Sequence, residues 1–427
     1  MSRFNSKKIK AVLFITLCLY SPLLISMTFQ TANSVEDYDI FISNSSITYE
    51  LNYTIEYKSY RTSPTYFKVW APWVNNWSSD QTSEIISKTD PENVLNHTFD
   101  AYDIYNNTYD YYYKELEGKD GDQSFLLQYQ YEVNSSGIKY EIPDNLTVDN
   151  YDTSSNLYQY YTSYQPYTEI NDTNIINAAL DITEGLSSLN EMIKEIYLYV
   201  VSTLVYTETN EVKGAAEALL TKTGDCSEYA SLMVALLRTV GIPARKVLGI
   251  ALLDEDPESS APKYDVKVGD VWSYSYEEGN IPGHAWVQYY IPEIDTWVSA
   301  DPTWGNGLYP SGEQYALKYL NQMDYIHLIT TVGGYYGLGI EPPLDLLDSD
   351  AEGMPEFPFF YPVWNTPYYD LSLTYDFKVI DVNLTKNSTI GIPNMFIIIG
   401  FGSGIFILFA LIGIAGISKS NKKETYR

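Results

Sequence analysis

Residues 46–58 alternate apolar and polar side chains without a break. Ile47, Tyr49, Leu51, Tyr53, Ile55 and Tyr57 share one face, and Thr48, Glu50, Asn52, Thr54, Glu56 and Lys58 the other. A period of two predicts a half-buried strand. Residues 125–133 repeat it with Phe125, Leu127, Tyr129, Tyr131 and Val133. Asn134-Ser135-Ser136-Gly137 then predicts a turn, with Ile138, Tyr140 and Ile142 opening the return strand. No long helical period occurs between residues 35 and 165, so an antiparallel β-sandwich of immunoglobulin-like class is expected over 33–170, without the Cys-Trp-Cys signature. Tyrosine rows at Tyr109, Tyr111, Tyr112, Tyr113 and at Tyr158, Tyr160, Tyr161, Tyr164, Tyr167 read as cross-strand pairs.

After a polar link at 165–175 the period changes. Leu189, Met192, Ile193, Ile196, Val200 and Leu204 fall on one helical face. Tyr229, Leu232, Met233, Leu236, Leu237 and Val240 form a second such stripe, stopped by Gly241 and Pro243. Residues 244–253 read as a buried strand, and 254–282, rich in Gly, Pro, Ser and charge, as a loop bordering a cleft. Two aromatic-rich runs, Gly283–Ile291 and Trp297–Thr303, flank a short turn and predict a hairpin. Leu371, Leu373, Tyr375, Phe377 and Val379 alternate as one more strand.

The candidate chemistry lies where the second helix and the hairpin begin. Asp225 reads as an N-cap with Glu228 three residues on, a capping-box start that puts Cys226 in the first turn. The unpaired N–H groups there favour an anion. In the hairpin, a loop of Pro292-Glu293 sets His284 directly opposite Asp301; a loop of 292–295 makes them diagonal neighbours on the same face. Direct pairs lie about 5 Å apart and diagonals about 7–8 Å, so either register lets the carboxylate orient the imidazole. A loop of odd length would put them on opposite faces. Nucleophile, base and orienter in that order can carry out acyl transfer, with the Cys226 backbone N–H as an oxyanion donor. His97 and His327 read as ordinary polar residues.

Several segments together resemble the core of the transglutaminase-like superfamily: Ala215-Ala216-Glu217-Ala218-Leu219, Gly224-Asp225-Cys226, Arg238 to Arg245, Gly283-His284-Ala285-Trp286-Val287 and Ala300-Asp301-Pro302-Thr303. The resemblance implies a papain-like α+β domain over 171–335 and assigns catalysis to Cys226, His284 and Asp301. Ser227 and Glu228 stand where the animal cross-linking enzymes carry aromatic residues.

The ends add a location. Arg3, Lys7, Lys8 and Lys10 precede an apolar stretch from Ala11 to Phe29, so residues 1–32 read as a signal peptide or signal anchor. The other cysteine, Cys18, lies inside that stretch. Residues 336–393 read as a Pro- and acid-rich linker with a juxtamembrane strand, and 394–417 as a transmembrane helix. Met395 to Ile417 carries no charge, enough chain to cross a core of about 30 Å. Lys419, Lys422, Lys423 and Arg427 in the basic tail 418–427 then face the cytoplasm. The expectation is a single-pass cell-membrane protein whose catalytic domain is extracellular. N-x-S/T acceptors fit that side: Asn44, Asn52, Asn76, Asn96, Asn106, Asn134, Asn145, Asn171, Asn383 and Asn387.

The formal charge of −29 excludes nucleic acid as an expected partner. With two Cys and three His, no Cys/His metal site is expected, nor any cofactor. Asp120-Gly121-Asp122 and the acidic run Asp345, Asp348, Asp350, Glu352 read as turns, without EF-hand spacing. Three function classes stay open. The leading one is a surface-anchored cysteine hydrolase acting on protein or peptide amides. The others are a transglutaminase joining surface proteins and a non-catalytic scaffold or adhesion protein. Nothing in the pattern fixes an oligomeric state.

Overall fold

The alternation of residues 46–58 becomes β1 (Ser45–Ser59), followed by β2 (Thr65–Pro72), β3 (Gln81–Lys88), β4 (Asn96–Tyr102), β5 (Thr108–Leu116) and β6 (Gln123–Lys139). Then come α1 (Asn156–Tyr161), α2 (Thr173–Thr183), α3 (Leu189–Thr203), β7 (Val205–Tyr206), α4 (Gly214–Thr221), β8 (Thr223–Gly224) and α5 (Cys226–Thr239). The chain continues through β9 (Ala244–Ala251), β10 (Val271–Ser275), β11 (Gly283–Ile291), β12 (Thr296–Ala300), α6 (Pro302–Asn306) and α7 (Glu313–Ala316). Last are β13 (Gln322–Met323), β14 (His327–Gly333), β15 (Tyr361–Val363) and β16 (Tyr369–Asn383). The computed structural model describes residues 45–59, 65–77, 81–89, 96–102, 107–116, 123–207, 213–252, 266–275, 283–306, 313–333, 361–363 and 369–383. All lie in one unit spanning 1–387.

Two antiparallel sheets face each other in the N-terminal part. One runs β10-β16-β1-β6-β13, with β3 also on β6; the other runs β15-β2-β5-β4. Tyrosines fill the layer between them. Tyr53 stacks on Tyr129 at 4.9 Å and on Tyr375 at 5.2 Å. From the facing sheet, Tyr112 meets Tyr129 hydroxyl to hydroxyl at 2.6 Å, and buried Asp110 accepts from Tyr129 and Lys88. A buried carboxylate needs such partners.

The expected turn at Asn134-Ser135-Ser136-Gly137 does not form. β6 runs straight through it, paired with β1 from Ser59↔Gln123 to Ser45↔Gly137 and with β3 at Gln81↔Ser135. Strand partners on both sides satisfy the backbone groups that a turn would have used, which overrides local turn preference. The second tyrosine row is also corrected. Tyr158, Tyr160 and Tyr161 lie on α1, a helix capped by Ser155, and not on a sheet. The charged stretch 254–282 contains strand β10, whereas 253–265 and 276–282 lie outside the described residues.

Packing crosses the expected boundary at residue 170. β16 pairs with β1 on one side and with β10 on the other. Ile250, Leu252, Tyr325, Ile326 and Leu328 share one core with β1, β6 and β16. The amide of Gln81 donates to the Ile329 carbonyl and accepts from its N–H, both at 2.8 Å. Asn107 does the same for Val332, at 2.6 and 2.8 Å. Two side chains thus stand in for a neighbouring strand along the outer edge of β14.

Beside the short parallel pair β7-β8, a further sheet, β12-β11-β9-β14, is antiparallel throughout and packs on α5. That helix is buried from Glu228 to Arg238, because β9, β11, α2, α3 and α4 surround it. Its predicted stripe is only part of the covered surface. Arg238 is tolerated inside because it donates to the carbonyls of Ala244 and Ser163.

Among the described residues no helix is long and apolar enough to cross a membrane. Residues 1–32 and 394–417 lie outside them, as do Asn44, Asn106 and Asn387 and both acidic runs. Asn76, Asn145, Asn171 and Asn383 are exposed, while Asn52 and Asn134 are half-buried on paired strands. Asn96 and His97 lie on β4, with side chains outside the description.

Candidate functional site

Cys226 is the first residue of α5 and half-exposed. The start of this helix is built tightly. Asp225 accepts from Ser227 N–H at 2.9 Å, and Glu228 accepts from Asp225 N–H at 2.9 Å and Lys213 N–H at 3.0 Å. The Glu228 stem fills the space a Cβ on Gly224 would need, so the chain can enter the helix only with glycine there. Burial, and then the Glu228 charge, push the Asp225 carboxyl up to about 7. Lys246, buried on β9, donates to Ser227 at 3.0 Å and brings a positive charge to the same turn.

The hairpin adopts the longer loop. Ile291 pairs with Thr296 and Val287 with Ala300, leaving Pro292–Ile294 as a 3-10 turn and Asp295 in the left-handed region at φ 47°. His284 and Asp301 are therefore diagonal on one face, and His284 Nε2 meets Asp301 Oδ2 at 2.7 Å. Asp301 is fixed on every side. Its Oδ1 caps α6 by accepting from Thr303 and Trp304 N–H at 2.9 and 3.0 Å. Its own N–H donates to the Tyr319 carbonyl. Opposite His284 on β9 stands Gly249, where a Cβ would collide with the Leu328 carbonyl and the Trp286 ring.

A third group was not visible in the sequence. His327, at the start of β14, directs Nε2 to Asp301 Oδ2 at 3.3 Å and Nδ1 to Asp324 Oδ1 at 2.7 Å. Its ring lies 4.3 Å from Trp304, 5.1 Å from Trp286 and 5.5 Å from His284. The only local signal is the Asp324-x-x-His327 spacing, which many turns share.

Charge balance follows from this enclosure. Burial pulls the His284 imidazole down, but the Asp301 charge and hydrogen bond, with smaller contributions from Cys226, bring it up to about 9. Burial likewise opposes His327, yet Asp324 and Asp301 raise it to about 9. Asp301 would be raised by burial; the two imidazoles hold it well below the usual carboxylate range. Nε2 of His284 is taken by Asp301, so Nδ1 is the nitrogen left for the Cys226 thiol. His284, Asp301 and His327 hold three potential metal-ligand atoms within 4.8 Å of one another. The 2.7 Å between His284 and Asp301 is hydrogen-bond spacing. Ligands at about 2.0–2.2 Å from a tetrahedral zinc stand about 3.3 Å apart. Shared protons fit these atoms better than a shared ion.

A 156-residue stretch is 30% identical to the uncharacterized protein YebA of Bacillus subtilis (strain 168), over 34% of this chain and 20% of that protein. The chain thus spans about a fifth of the length of this curated relative. A candidate cysteine protease from Cytophaga hutchinsonii aligns over 81% of this chain and 94% of its own, at 14% identity and TM-score 0.48. The periplasmic domain of TgpA from Pseudomonas aeruginosa aligns over 58% and 74%, at 16% identity and TM-score 0.29. Red sea bream transglutaminase aligns over 57% and 48%, at 15% identity and TM-score 0.25. At these values the structural likenesses carry nothing about chemistry or substrate. The sequence itself gives the family likeness: residues 176–302 match the model of the transglutaminase-like superfamily.

Proposed function

We propose that this protein is a surface-anchored cysteine enzyme that transfers acyl groups from protein or peptide amides, with water as the usual acceptor. One observation carries the reading. A half-exposed thiol opens a helix, and the buried imidazole associated with it is held through its other nitrogen by a fully engaged carboxylate. The apolar stretches Ala11–Phe29 and Met395–Ile417 support the anchored, outward-facing placement.

In the proposed reaction the Cys226 sulfur attacks the amide carbonyl and an S–C bond forms. The developing oxyanion accepts from the Cys226 backbone N–H. His284, protonated at Nδ1, gives that proton to the departing amine as the C–N bond breaks. Water then attacks the thioester, passes a proton to His284, and the acid leaves as the thiolate returns. Asp301 keeps the ring oriented throughout. Ser227 and Glu228 are engaged in shaping the helix start and offer no aromatic wall for an amine, which supports water as acceptor.

The test uses the full chain in detergent. A thiol-directed activity probe should label wild type and not Cys226→Ala; equal labelling removes the enzyme reading. Incubation with a glutamine peptide and a labelled amine should give hydrolysis in excess. Amine incorporation without hydrolysis would make the protein a cross-linking enzyme instead.

A further inference from the structure

We propose that His327 and Asp324 form a buried, charged positioning pair that locks Asp301 behind His284, extending the site to a line of five side chains. The inference rests on the catalytic reading of Cys226, His284 and Asp301. Its geometry is continuous: Asp324 Oδ1 to His327 Nδ1 is 2.7 Å, His327 Nε2 to Asp301 Oδ2 is 3.3 Å, and Asp301 Oδ2 to His284 Nε2 is 2.7 Å. The side chains of His327, Asp301 and Asp324 are wholly buried.

The protons on His327 follow from its partners. Asp324 Oδ1 already accepts from Ile326 N–H at 3.0 Å, so it acts as an acceptor and His327 Nδ1 carries a hydrogen. Asp301 Oδ2 is a carboxylate oxygen, so Nε2 must carry one too, or two lone pairs would face each other at 3.3 Å. A ring that donates from both nitrogens is an imidazolium. Asp324 Oδ2 takes no hydrogen bond from the described residues, which leaves the carboxylate's pairing concentrated on Oδ1.

The charged and titratable groups around this ring come from several elements. His284 faces it from β11 and Asp301 from the start of α6; Asp324 and Tyr325 belong to the turn before β14. Tyr49 of β1 lies beneath the turn, donating to the Tyr325 carbonyl at 3.2 Å. Cys226 interacts with His284 in turn. A cation at His327 therefore shares the Asp301 charge with His284. It makes His284 less basic than Asp301 alone would and denies Asp301 any alternative rotamer.

The chain has three histidines, so imidazole labelling yields three signals, and His97→Gln removes one. The experiment is a pH titration of full-length, 13C,15N-histidine-labelled protein by NMR, beside the iodoacetamide rate at Cys226. In wild type, His327 should carry protons on both nitrogens at neutral pH; a neutral His327 overturns the proposal without any variant. His327→Gln should raise the His284 midpoint by about half a pH unit or more. Asp324→Asn should lower the His327 midpoint by about one unit. Unmoved midpoints in folded variants overturn the pair. The catalytic reading fails separately, if wild-type Cys226 reacts no faster than a free cysteine peptide.

Discussion

Gln81 of β3 pairs with Ile329 of β14 as a neighbouring strand would, its amide giving one hydrogen bond to the carbonyl and taking one from the N–H. Ile329 lies two residues beyond His327. Through Gln81 the edge of the tyrosine-filled sandwich thereby holds the strand that carries part of the candidate site. Gln81→Ala leaves both backbone groups buried without this partner, a cost of about 1–3 kcal/mol. Asn107→Ala does the same at Val332. Denaturant unfolding should show each loss, whereas a conservative change at exposed Asn145 should show none; a stability unchanged in both variants would contradict the bracing role.

Asp301→Asn keeps the shape but alters the hydrogen-bonding character of the group that orients His284. Turnover of a peptide substrate should fall about 10³–10⁴-fold, with circular dichroism unchanged. His284→Ala should match or exceed that loss. A fall of less than about tenfold for both would remove Asp301 and His284 from the chemistry.

Both buried imidazoles are raised from the ordinary histidine value of 6.5 to about 9. A raised cation stabilises the fold fully below about pH 6.5 and ceases to do so as pH climbs through about 9. Asp301, held low by the same pairs, gives its share above the ordinary carboxylate value of 3.8 and loses it as pH drops further. These are two views of one network. Stability should fall between about pH 6.5 and 9, by a few kcal/mol at most, and fall again below about pH 4. Urea midpoints measured from pH 3 to 10 would show it; a flat profile across the alkaline window would contradict the charged network.

Gly249 faces His284 across the β9–β11 pairing, with the Leu328 carbonyl and the Trp286 ring where its Cβ would be. Gly249→Ala must push β14 or Trp286 away, an overpacking cost of about 1–3 kcal/mol. Thermal unfolding should move down and the Cys226 alkylation rate should fall with it. A variant with wild-type melting and wild-type reactivity would show that the sheet yields there freely.

Local pattern carried much of this protein. Asp225 and Glu228 announced the start of α5, because a capping box is complete within four residues. Strand period alone said that an even loop would bring His284 and Asp301 to one face; that the loop has four residues was decided by the pairing of Ile291 with Thr296. The alternating runs around Tyr53, Tyr129 and Tyr375 foretold their strands. What tertiary structure decided were partners distant along the chain. β6 passes straight through Asn134-Ser135-Ser136-Gly137 because β1 and β3 flank it. His327 reaches Asp301 only because β14 pairs with β9, which in turn pairs with β11. Propensity and capping act over a few residues, whereas sheet order and side-chain convergence depend on which distant segments exclude water from one another.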